Sequence, residues 1–163
     1  MEIRPVIEND REEIVSLYRQ SQEATGIPDP SFIPPDDLGN HLFSRKAITR
    51  YVAVEFGSIL GYAHIEEPNP EHIEQWSKET NNPSLIELGG AFVDPERTGK
   101  GIWKALLIHR LHIVSKELNA QAVSCTWLQN EHVKRTFIAY GGREIGQKLT
   151  PGGIICLFVF NQV

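Results

Sequence analysis

LIELGGAFVDPERTGKGIWKALL, residues 85–107, joins an apolar strand, a glycine turn and a helix start. Ile86, Leu88, Ala91, Phe92 and Val93 make a run of strand length, and Asp94-Pro95 ends it. Gly99 and Gly101 bracket Lys100, and Ile102 opens an amphipathic helix. A turn of this kind aims several backbone N–H groups at one point before a helix N-terminus. The helix dipole and the unpaired donors of the first turn make that point an anion site, best suited to phosphate. Two other glycine-loop patterns do not fit. A P-loop requires Gly-Lys followed by Ser or Thr, whereas Gly101 follows Lys100. A dinucleotide fingerprint requires a third glycine that Gly99-Lys100-Gly101 lacks. A plain strand–turn–helix junction, with glycines used only for turning, stays open as the alternative.

Around this stretch the chain reads as one domain of 163 residues, long enough to bury a core without staples. Its formal net charge of −5 argues against non-specific binding to nucleic acid or an anionic membrane. Cys125 and Cys156 lie in apolar, strand-like runs without metal-ligand spacing, so both are expected reduced and buried, with no metal. The opening MEIRPVIEND has no apolar run of signal length, and no stretch approaches a membrane span. A cytoplasmic protein is the expectation.

Taken in order, residues 1–7 suit a first strand, and Asn9-Asp10 caps a helix running to about Ala24. Ile14, Leu17, Tyr18 and Ser21 mark its inner face. A proline-rich loop follows over 25–35, then a helix over 36–44. TRYVAVEF and ILGYAHIEE alternate as the arms of a hairpin turning at Gly57-Ser58, where Gly61 either weakens its strand or permits close packing. The polar insertion 68–83 carries two turns of helix over 71–78. It is a surface excursion held by Trp76, or else a lid over the acceptor site or an oligomer contact. Gly89-Gly90 inside the central strand signals a bulge or a close backbone approach. From Gly101 to Leu118, Trp103, Leu107, Leu111, Val114 and Leu118 form an apolar stripe, with His109, Arg110 and His112 mostly off it. Strands over 120–128, 143–149 and 154–160 and a helix over 131–140 complete the chain.

VDPERTGKGIWKALL resembles the acyl-CoA-binding motif of the GNAT superfamily of N-acetyltransferases. There an Arg/Gln-x-x-Gly-x-Gly/Ala loop joins the fourth strand to the next helix and holds the coenzyme A diphosphate. Gly101 matches the central glycine, while Thr98 replaces the usual Arg or Gln and Trp103 replaces the last small residue. A second stretch, NEHVKRTFIAYGGREIG at 130–146, resembles the segment after the superfamily's fifth strand. Asn130 would cap the helix, contact the pantetheine amide, or both. Seven residues on, where a general-acid tyrosine is usual, stands Phe137, and Tyr140 lies three further along.

The resemblance spans nearly the whole chain. It implies a mixed α/β fold with a twisted, mostly antiparallel sheet and helices on both faces. The fourth strand would bulge and splay from the fifth, and the pantetheine arm would enter the gap. Acetyl-CoA contacts are implied at Phe92, Val93, Thr98, Gly99, Lys100, Gly101, Ile102, Trp103, Lys104, Asn130 and Phe137. Glu87 is the first choice of general base, ahead of His64 and Glu66, and Tyr140 is the candidate acid. The implied activity is acetyl transfer to a primary amine, on a small molecule or a peptide, within a ternary complex. Homodimers are common among such proteins. The competing expectation, prompted by Phe137 and Trp103, is a coenzyme A-binding protein with weak or no transferase activity.

Overall fold

The computed structural model describes residues 1–25, 43, 47–80, 82 and 84–161. Seven strands form one sheet in the order β1-β2-β3-β4-β5-β7-β6. These are β1 Glu2–Pro5, β2 Ala47–Glu55, β3 Ser58–Glu66, β4 Leu85–Val93, β5 Gln121–Trp127, β6 Gly142–Thr150 and β7 Gly153–Phe160. The helices are α1 Arg11–Thr25, α2 Pro70–Lys78, α3 Ile102–His112 and α4 Glu131–Ala139. The β1–β2, β5–β7 and β6–β7 pairs are antiparallel, and β4–β5 is parallel. The helix expected over 36–44 lies, apart from Phe43, outside the described residues.

The chain divides into two compact units, Met1–Ile65 with Gly90–His109, and Glu66–Gly89 with Arg110–Val163. In the first, α1 lays Ile14, Leu17 and Tyr18 against Val52, Ile59, Tyr62 and Phe92. Each fully buried side chain of this size contributes roughly 1.5–3 kcal/mol. Arg4 grips Asp10 with two hydrogen bonds of 2.7 and 2.9 Å, and the Ile7 N–H donates to the same carboxylate at 2.9 Å. The Arg4 hydrogen bond holds the Asp10 carboxyl below its ordinary range despite its burial. The hairpin turns at Phe56-Gly57, one residue earlier than the sequence reading placed it. Both φ angles are positive, +50° and +83°, as a two-residue turn matching strand twist requires. Phe56 is consequently fully exposed at the tip rather than sharing a strand face. Gly61 serves close packing: a Cβ there would stand 3.0 Å from both Ile102 Cγ2 and Leu106 Cδ1.

In the second unit, β7 is buried from Ile155 to Phe160 and pairs with both β5 and β6. α4 packs its Phe137 ring edge-on against Phe158 and Phe160, each at 5.2 Å. After His112 the third helix widens into a π turn over Ile113–Glu117, in which the Leu118 N–H bonds Ile113 O at 3.0 Å. Asn119, at φ +47°, ends it in the left-handed conformation that asparagine tolerates. Leu118 is exposed, so the apolar stripe stops short of its expected end.

Candidate active site

The 94–104 turn is built from backbone. The Asp94 carboxylate accepts the Glu96 N–H at 2.9 Å, capping a 3-10 turn over Pro95–Arg97. The Asp94 N–H ties the turn to Leu60 O at 2.9 Å. Gly99 and Gly101 then take φ +80° and +79°. Nothing lies within 4 Å of a Cβ added at either position. The two glycines are therefore required by conformation and not by crowding, and a side chain there meets backbone strain of about 1–2 kcal/mol. The Ala105 N–H bonds Gly101 O at 2.9 Å, and α3 begins at Ile102. Thr98, Gly99, Lys100, Gly101 and Lys104 are exposed, whereas Ile102 is buried and anchors the helix. Trp103 is half-buried, so the indole is neither core nor fully open. An exposed helix start behind two left-handed glycines, flanked by Lys100 and Lys104, fits a diphosphate.

Phe92 turns its side chain inward. Its ring stacks on Tyr62 at 4.9 Å and meets Tyr18 edge-on at 5.2 Å, which leaves the backbone of Phe92 and Val93 as the part that can face a ligand. His64, a second choice for base, is buried next to Tyr62, with ring centroids 5.7 Å apart.

The other unit holds Glu87. The parallel β4–β5 ladder runs through Leu85↔Gln121, Ile86↔Ala122 and Glu87↔Val123. Past Glu87, side chains take the carbonyls of β4: Ser124 Oγ donates to Leu88 O and Arg110 to Gly89 O, both at 2.9 Å. Side chains of β5 and of the third helix thus satisfy these two carbonyls of the strand. Arg110 is 1 % exposed although it lies off the stripe of Trp103, Leu107 and Leu111. A signal for this existed: Arg110 continues the i, i+4 row of Ile102, Leu106 and Val114.

Glu87 is 6 % exposed, not the solvated edge carboxylate that was its alternative reading. Its Oε2 accepts the Asn69 N–H at 2.8 Å, and its Oε1 faces Cys125 Sγ at 3.8 Å. Nothing local in the sequence marks Asn69 or Cys125 as its neighbours, because both come from distant chain segments.

Asn130 is the N-cap of α4, its Oδ1 accepting the Val133 N–H at 3.3 Å. Phe137 is 3 % exposed within the α4–β7 packing, and a Cβ at Gly142 would stand 2.8 Å from its carbonyl. Its ring is part of the core there. Tyr140 is half-buried at the C-cap of α4, its N–H shared by Thr136 O and Phe137 O at 3.1 Å each. Among the described residues no cluster of three His, Cys, Asp or Glu is placed to hold a metal ion. No described helix is long and apolar enough to cross a membrane.

No protein-family model and no curated protein matches the sequence. Solved structures do match, over nearly the full length. An N-acetyltransferase from Staphylococcus aureus Mu50 superposes with TM-score 0.74 at 20 % identity, covering 99 % of this chain and 97 % of the other. The fold is that of the GNAT N-acetyltransferases. The ribosomal-protein-alanine N-acetyltransferase of Brucella melitensis gives TM-score 0.72 at 18 % identity over the whole of both chains. The ribosomal-protein-S18-alanine N-acetyltransferase of Escherichia coli gives 0.72 at 12 % identity, covering 99 % of this chain and 93 % of that one. The seven-stranded mixed sheet and its helices therefore match the expected fold.

Proposed function

We propose that the chain is a single-domain N-acetyltransferase that uses acetyl-CoA to acetylate a primary amine on a small molecule or a peptide. The observation that carries this reading is the Gly99-Lys100-Gly101 turn: two left-handed glycines in open space, directly before an exposed helix N-terminus, on a GNAT sheet. Similar structures include acetyltransferases of different acceptors, among them ribosomal-protein alanine and spermidine. They support amine acetylation as a class and favour no one acceptor. Two free cysteines accord with a reducing, cytoplasmic setting.

In this reading Thr98 to Lys104 hold the coenzyme A diphosphate through backbone N–H groups, helped by the Lys100 and Lys104 charges. Backbone groups of Phe92 and Val93 pair with the pantetheine arm, and an N–H there stabilises the oxyanion. Asn130 keeps its cap and steadies the start of α4. Glu87 takes the ammonium proton, directly or through water, and the freed amine attacks the thioester carbonyl. Attack forms the C–N bond; collapse re-forms the carbonyl, breaks the C–S bond and expels the coenzyme A thiolate, and the proton shed by the new amide nitrogen goes to that thiolate or to water. A thiol of pKa near ~8.5 leaves tolerably at neutral pH without an acid. Phe137 therefore does not forbid turnover, and Tyr140 is the one candidate acid nearby in sequence.

Thermal unfolding with and without acetyl-CoA, with ATP and NAD as controls, tests this directly. Ligand at 100 times its Kd stabilises by about 2.7 kcal/mol, or roughly 5–10 °C at this size. A shift with acetyl-CoA alone, followed by turnover on an amine panel, is the expected result. A shift without turnover would leave the binding protein, and no shift in folded protein would sink the assignment.

A further inference from the structure

The 68–83 insertion reads in the sequence as a surface excursion, a lid or an oligomer contact, and its contacts in the second unit point elsewhere. Asn69 is the N-cap of α2, its Oδ1 accepting the Glu71 N–H at 3.0 Å. The backbone N–H of the same residue donates to Glu87 Oε2 at 2.8 Å. A carboxylate taken out of water keeps its charge only where donors meet it. Here one such donor stands at the positive end of a nine-residue helix.

That helix is fastened to β6 along its length. At its start, Lys148 Nζ donates to Glu71 O at 2.8 Å and meets His72 Nδ1 at 3.3 Å. His72 is 3 % exposed and lies edge-on to Trp76, itself fully buried. Midway, Gly146 leaves room for Gln75, whose Nε2 would stand 2.6 Å from a Cβ there. Beyond its end, Arg143 donates to Glu79 Oε2 at 3.0 Å and to Glu79 O at 3.3 Å. An excursion that only covered surface would not need its first turn held from one side and committed to a buried carboxylate on the other.

We propose that α2 is a positioning strap for Glu87, in which Lys148 and His72 hold the Asn69 N–H on the Glu87 carboxylate. The proposal rests on Glu87 as the general base. With Lys148 removed, the first turn of α2 relaxes, and Glu87 loses a donor that orients its carboxylate and favours the charged form. Acetyl-CoA affinity is untouched, because residues 94–104 take no part.

The test pairs Lys148→Met, which keeps the apolar stem, with Lys148→Arg, which restores a donor. Hydrogen exchange at the Asn69 amide is read without substrate. The pH profile of kcat/KM is read with an amine that the wild type acetylates. Lys148→Met is expected to speed Asn69 exchange and to move the ascending limb to higher pH. It should lower kcat at neutral pH on the order of tenfold, less than the ~10²-fold or more that removal of a base costs. KM for acetyl-CoA should hold, and Lys148→Arg should recover both readouts. If Lys148→Met leaves the exchange and the limb where they were, the strap is overturned and the base assignment survives. If the wild type binds acetyl-CoA but acetylates no amine, the base assignment falls and takes the strap with it.

Discussion

Residues 94–104 and the surroundings of Glu87 are made from different materials. The turn is short, contiguous and exposed, and it consists of backbone geometry: an Asp94 cap, two left-handed glycines and a helix start. The Glu87 environment is buried and assembled from segments far apart in the chain, Asn69 on one side and Cys125 on the other. A site made of main-chain donors tolerates changes of side chain, so in the proposed role Thr98 can stand where the similar motif has Arg or Gln. A site made of one carboxylate and its partners has no such latitude, since an unmet buried polar group costs ~1–3 kcal/mol. Substitutions should therefore separate the two regions by what they disturb, chemistry in one and conformation in the other.

The largest effect is expected at Glu87. Glu87→Gln retains shape and an acceptor for the Asn69 N–H, so the fold should hold while the proton acceptor is lost. Turnover of an acetylated amine should fall by ~10²–10⁴ in kcat/KM. The acetyl-CoA thermal shift should stay as it was. A variant with full kcat/KM would remove Glu87 from the mechanism and leave its burial a matter of structure.

Next comes Gly61→Ala, which acts on the seat of α3 without touching the turn. The new methyl would stand 3.0 Å from Ile102 and Leu106 and 3.2 Å from Val93. Overpacking of this kind costs about 1–3 kcal/mol, measurable by urea unfolding. Gly99→Ala and Gly101→Ala should each cost less, about 1 kcal/mol, because the strain is in φ alone and the space is open. Their larger consequence should be a weakened acetyl-CoA shift. Equal shifts in wild type and both variants would mean that the glycines serve only to turn the chain.

The same contrast governs how far the sequence could be read. Asp94-Pro95, Gly99, Gly101 and the apolar row of α3 are local signals, so the strand, turn and helix were legible together with most element positions. Non-local facts were not. That Phe137 faces Phe158 and Phe160, or that Lys148 reaches Glu71 and His72, depends on strand order and register. A one-residue change of turn, as at Phe56-Gly57, was enough to move an aromatic from a strand face to open water. Arg110 is buried because it lies on the neighbouring i, i+4 row of Ile102, Leu106 and Val114, beside the stripe of Trp103, Leu107 and Leu111. Its guanidinium caps the carbonyl of Gly89.

The smallest effect expected is a pH dependence within the second unit alone. Burial, with the Lys148 ammonium 3.3 Å away, holds the His72 pKa below its ordinary value, and the Glu71 backbone and charge oppose this only in part. α2 also packs on β7, which brings no charged side chain, its one titratable group being Cys156. The Cys156 thiol is pushed up to about 11, chiefly by burial, and is neutral across the range that matters. A histidine whose folded-state pKa is depressed stabilises the fold most when neutral, above the ordinary histidine range near ~6.5. As pH falls from there through the folded-state value, the unfolded chain takes up the proton first and the contribution is lost. Protonated His72 would also confront Lys148 across the contact that seats the strap. His72→Gln, which can still accept from Lys148, should remove this slope below about pH 6.5 while leaving stability at pH 8 close to wild type. Parallel stability curves for the two proteins would show that His72 takes up its proton alike in the folded and unfolded chain, and that acid acts on α2 through its carboxylates instead.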